Sequence, residues 1–147
     1  MKLLVYLMIL NSNKLSGGYI IMQNDMIIST GDKELTIKYL YTVEDYFTFN
    51  IRVKSGEFSG VSNFCISKKM IYLIVERLTE MHKELKGSCE IVDNDSDAYI
   101  TLSMDKYGHM SIYGQIGGSH EEHLLKFKYS TDQTVLERVI KLFEGLL

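Results

Sequence analysis

LLKFKYSTDQTVL, from Leu124 to Leu136, is the stretch whose reading decides the fold. Its first half alternates apolar and polar residues with the period of a half-buried strand. Asp132 or Thr134 then opens a helix, with Thr134 and Glu137 in capping-box register and Val135, Leu136, Val139, Ile140 and Phe143 turned inward. A strand therefore feeds almost directly into a helix at the end of the chain. Just upstream, ITLSMDKYGHMSIYGQI, Ile100 to Ile116, reads as two strands joined by the DKYGH hairpin, in which Gly108 supplies a positive φ.

Working outward, the same short alternating runs recur between polar or glycine-containing turns, the mark of antiparallel strands. The second group of strands is Cys89 to Val92, Ala98 to Met104, Met110 to Ile116 and His123 to Tyr129. Before it, Ser67 stands as the N-cap of an amphipathic helix reaching Lys86, with Ile71, Ile74, Leu78, Met81 and Leu85 spaced by three and four and Gly87 ending it. Before that come Met26 to Ser29, Leu35 to Tyr41, Tyr46 to Lys54 and Phe58 to Cys65. In the third of these, Phe47, Phe49, Ile51 and Val53 take one side while Thr48, Asn50, Arg52 and Lys54 take the other. Alternation blurs around Gly60 and Val61, which predicts a bulge or tight bend there. The order is four strands, helix, four strands, helix. It predicts an α+β fold, a curved antiparallel sheet of about eight strands with both helices on one face.

A chain of 147 residues has the length of one domain, and we place that domain at 26–147. Residues 1–25 read as an N-terminal extension. Its apolar run Lys2 to Leu10 is far shorter than the roughly 18 residues of a membrane span, lacks a clear cleavage site, and reads as a strand; a natural start at Met26 is the other reading. Hydrophobic residues at 46%, charged residues at 24% and a net charge of −3 describe an ordinary globular chain with no global attraction for nucleic acid or anionic membrane. Cys65 and Cys89 are too few for a disulfide framework, which points to a reducing cytoplasm.

No stretch carries a catalytic motif in the surroundings its chemistry requires, so neither an enzyme nor a cofactor is expected. Asp93, Asp95 and Asp97 have the spacing of the first calcium-loop ligands, but Ala98 replaces the glycine of the turn and Met104 the bidentate glutamate, leaving a solvated loop. His120 and His123, read at the opening of a strand, would diverge, and no metal site is expected of them. Glu76, Glu80 and Glu84 form a carboxylate row on the first helix, softened by Arg77 and Lys83. The bland reading is a solvated face and the functional one an acidic ridge for a basic partner.

Taken together, FNIRVKSGEFSG, the helix ending in ELKG, the D-x-x-G hairpin of ITLSMDKYGHMSIYGQI and LLKFKYSTDQTVL resemble the WapI family of bacterial immunity proteins over Met26 to Leu147. The resemblance implies a small cytoplasmic, non-enzymatic protein that neutralises the toxic C-terminal domain of a polymorphic or contact-dependent toxin. It supplies no contact residues. Glu76, Glu80, Glu84, Asp93, Asp95 and Asp97 are the residues expected to face the toxin, without direct contact to nucleic acid or membrane, and a homodimer stays open. The alternative is a small binding module holding an apolar ligand over Phe47, Phe49, Ile51 and Val53, an expectation that a filled core would remove.

Overall fold

The structure is a computed structural model that describes residues 26–147; the strand read at Lys2 to Leu10 lies outside the described residues. Four strands come first: β1 (Met26–Thr30), β2 (Lys33–Val43), β3 (Tyr46–Ser55) and β4 (Phe58–Ser67). Helix α1 (Lys68–Glu84) follows. Then come β5 (Gly87–Val92), β6 (Tyr99–Met104), β7 (Met110–Ile116), β8 (Leu125–Thr131) and helix α2 (Thr134–Glu144). The class and the order are those read from the sequence. Hydrogen bonding divides the strands into two antiparallel meanders, β1-β2-β3-β4 and β5-β6-β7-β8.

Period-two burial fixes which face of each meander is inside. In β3, Phe47, Phe49, Ile51 and Val53 are buried; in the second sheet Ile91, Ile100, Leu102, Ile112 and Tyr129 are. The helices bring Ile71, Ile74, Leu78 and Met81 from α1 and Val135, Leu136, Val139, Leu142 and Phe143 from α2 into the same cluster. Each such side chain contributes about 1.5–3 kcal/mol on leaving water, so one shared core holds both halves. Phe49 meets Phe143 edge-on at 5.3 Å between centroids. Tyr129, on β8, reaches across to donate to the Lys54 carbonyl at 2.6 Å. That hydroxyl is a polar tie between the two sheets.

The bulge expected near Gly60 is elsewhere. Pairing of β3 with β4 runs unbroken from Tyr46↔Ser67 to Ser55↔Phe58, whereas the register shifts between Tyr39 and Tyr41 on β2. Gly60 breaks the apolar alternation for a packing reason. The space its missing side chain leaves is filled by Ile116 Cδ1, which would stand 3.1 Å from an added Cβ.

Helix α1 starts as read, the Ser67 hydroxyl accepting from Met70 N–H at 3.3 Å, but it stops at Glu84 instead of reaching Lys86, with an exposed Leu85 at φ of 55° closing it in place of Gly87. The capping box expected at α2 does not form. Thr134 is already the first helical residue, and Asp132 accepts from its N–H at 2.9 Å instead. Likewise β8 starts at Leu125, so His120 and His123 sit in the exposed loop after β7 rather than in a strand.

Candidate functional site

The carboxylates singled out in the sequence fall in two places. Glu76, Glu80 and Glu84 lie exposed along α1, as their spacing of four requires. Glu80 pairs with Arg77 Nη1 at 3.1 Å, both side chains about half exposed. Such a surface pair holds side chains in place more than it stabilises the fold. The acidic loop is at the other end of the helix. Asn94 N–H donates to the Cys65 carbonyl at 2.8 Å, just before the α1 N-cap. Glu84 is therefore roughly 25 Å away along the helix axis, and the six carboxylates do not form one patch.

Within the loop the three aspartates do different things. Asp93 is buried, its carboxylate accepting from Cys65 N–H at 2.8 Å and from the Ser96 hydroxyl at 2.6 Å. It ties the β5–β6 loop to the edge of β4 and has no carboxylate face to offer a partner. Asp97 accepts from the N–H of Ser119 at 2.7 Å and from its hydroxyl. Those two donors hold its carboxyl below the ordinary carboxylate range. Asp95 is exposed. The loop is thus largely structural, with calcium-like spacing produced by turn chemistry. Among the described residues no group of three His, Cys, Asp or Glu side chains is arranged to hold a metal.

Next to the first turn of α1 the structure shows a feature that the sequence reading passed over. Tyr46, Tyr72 and Leu73 line a surface depression with Asp45, Ser67, Lys68 and Lys69. Val43 is cross-strand partner to Tyr46, and all four apolar residues are between 42% and 59% exposed. In the turn beneath them Glu44 and Asp45 both have positive φ, 47° and 66°. Both values are those that a two-residue hairpin between Val43 and Tyr46 requires of its central residues. The Asp45 carbonyl accepts from Lys68 N–H at 2.7 Å, which fixes the turn to α1. Because Tyr72 and Leu73 precede Glu76 and Glu80 by helical spacings, the aromatic patch continues into the acidic row. Their signal was faint in sequence: Tyr72 and Leu73 are apolar residues off the helix's buried stripe.

The apolar face of β3 has no room for a ligand. Phe47, Phe49, Ile51 and Val53 are packed in the shared core, with Phe143 closing over Phe49. Among the described residues no helix is long and apolar enough to cross a membrane.

No family model and no curated protein matches the chain. Among solved structures it is similar to one described as "Crystal structures of trypanosoma bruciei MRP1/MRP2", with a TM-score of 0.46 at 6% identity, covering 77% of this chain and 72% of that one. A likeness at this level carries no inference about fold or activity.

Proposed function

We propose that the chain is a non-enzymatic, cytoplasmic immunity-type protein that binds and masks the toxic domain of a cognate bacterial toxin. The observation that carries this reading is the exposed face of α1, where Tyr46, Tyr72, Leu73 and Val43 adjoin the row Glu76, Glu80 and Glu84. Tyrosine-rich apolar patches of this kind anchor protein interfaces, while charge at their margin steers the encounter. Masking needs a rigid scaffold and a complementary surface, and no chemistry. The resemblance of the sequence to the WapI immunity proteins is the ground for proposing a toxin domain as the class of partner.

A toxin that acts on nucleic acid carries a basic cleft, and an acidic ridge both speeds its capture and occupies its substrate site. Replacing Glu76, Glu80 and Glu84 together by lysine leaves folding nearly intact, since all three are exposed, and slows association several-fold at low salt. The test is a kinetic binding measurement with the toxin encoded beside this gene, at low and moderate salt, with growth rescue of cells expressing it. Unchanged association removes the acidic row from the contact face. A wild-type chain that neither binds nor protects removes the immunity reading against that toxin.

A further inference from the structure

The outer edge of β4 turns main-chain groups away from its own sheet. At Cys65 both are engaged: its N–H donates to Asp93 Oδ1 at 2.8 Å and its carbonyl accepts from Asn94 N–H at 2.8 Å. Residues of an antiparallel strand alternate in which neighbour their N–H and C=O address. Asn63, Val61 and Ser59 therefore share the orientation of Cys65, away from β3. Among the described residues β4 pairs with β3 alone, and no other backbone group meets those three.

The flanks of that edge are apolar and open. Phe58 is 70% exposed, Val61 54% and Leu124 45%. The three line a groove of about 580 Å³, together with Ile116 and Leu125. Glu121 and Glu122, both exposed, line it as well, and Glu57 is exposed in the turn before Phe58. Edge strands are ordinarily blunted by a lysine, a proline or a bulge. Here the pairing of β4 is unbroken, the stretch Phe58 to Asn63 contains no lysine, and the chain contains no proline.

We propose that the β4 edge from Ser59 to Asn63 is a strand-addition site for an extended polypeptide segment of a partner protein, with lysine or arginine facing Glu121 and Glu122. The backbone supplies the pairing, the groove around Phe58 and Leu124 takes alternate apolar side chains, and the Glu121 and Glu122 carboxylates select positive charge. Asp93 and Asn94 already pair with Cys65 in this manner, so the added segment ends there. The site lies apart from the α1 face and stands without the immunity reading.

The test uses the full chain, nitrogen-labelled, and two extended peptides about eight residues long. One alternates arginine with valine and threonine, and the other carries glutamate in place of arginine. The arginine peptide is expected to shift the amides of Ser59, Val61 and Asn63 and slow their exchange, and the glutamate peptide to bind roughly tenfold more weakly. Val61→Pro removes one outward N–H without touching the β3 pairing, a position at which proline is tolerated in edge strands. It is expected to abolish the exchange protection. Glu121→Lys with Glu122→Lys, on an exposed loop, weakens the arginine peptide and reads the same site should the proline variant fold poorly. Equal binding of both peptides, unchanged binding by folded Val61→Pro, or amides at 59, 61 and 63 already protected in the full chain alone would overturn the proposal. The last outcome would mean that the chain's own residues or a second copy fills the edge.

Discussion

The half from β1 to α1 and the half from β5 to α2 repeat one order of elements, yet their surfaces are finished differently. Large exposed apolar side chains crowd the first: Leu40, Tyr41, Val43, Tyr46, Phe58, Val61, Tyr72 and Leu73. The second has fewer, Val92, Tyr107, Tyr113, Leu124 and Leu147, and loop carboxylates fasten its turns. Asp93 holds Cys65 and Ser96, Asp97 holds Ser119, Asp105 accepts from Tyr107 and His109 N–H, and Asp132 accepts from Thr134. Polar ties of this kind cost a surface its freedom to adapt, while exposed aromatic area on a rigid strand or helix is what an interface uses. One half stiffens the scaffold and the other presents it.

The contrast breaks first if the shared core is not what joins the halves. Phe49→Ala removes the edge-on contact with Phe143 across that core and should cost about 3–5 kcal/mol, with Leu78→Ala, fully buried on α1, costing about 2–5. Denaturant unfolding measures both. Two separate transitions, or a near-neutral midpoint for either variant, would mean that the halves fold apart.

Glycine substitutions sharpen the comparison by setting one sheet against the other. A methyl group at Gly114, inside β7, would overlap the carbonyl oxygen of Tyr99 on the neighbouring strand, and main chain cannot step aside. Gly114→Ala should cost about 3 kcal/mol or more, whereas Gly60→Ala presses on the flexible tip of Ile116 and should cost about 1 kcal/mol. Equal midpoints for the two variants would contradict the packing described at β7.

Tyr129 tests the tie between sheets. Tyr129→Phe should cost about 0.5–1.5 kcal/mol at neutral pH through the lost bond to Lys54. Burial pushes its phenol up to about 12 against the bond to Lys54, which lowers it. The folded state then keeps a proton that the unfolded chain releases, so stability is full below about pH 10 and falls as pH rises toward about 12. Cys89, raised to about 11 chiefly by burial, adds the same sign from about pH 9 upward. Tyr129→Phe should flatten the upper part of that alkaline slope in melts run across it.

The smallest effect is at the acid end. Asp97, Asp105 and Asp132 are held below the ordinary carboxylate range, by the Ser119 hydroxyl, the His109 N–H and the Thr134 hydroxyl first of all. A depressed carboxyl stabilises the fold above its unfolded value, near pH 4, and that contribution disappears as pH falls through the folded value. Asp97→Asn should reduce the acid slope slightly, by lowering neutral stability by the same small amount and leaving stability at acid pH almost unchanged. An identical slope would remove the Asp97–Ser119 tie as a contributor.

Local pattern determined a good deal of this protein. Alternation placed the strands, the three-and-four spacing placed both helices, Ser67 marked the start of α1 and Gly108 the hairpin turn, because period, caps and positive φ are properties of neighbouring residues. Glu76, Glu80 and Glu84 were exposed for the same reason. Only the tertiary structure decided the rest. It split the strands into two meanders, moved the bulge from Gly60 to β2, drew Asp93 inward toward Cys65, and set Tyr46 beside Tyr72. Each of those depends on which distant backbone or side chain arrives alongside, and a single chain's periodicity carries no record of that partner.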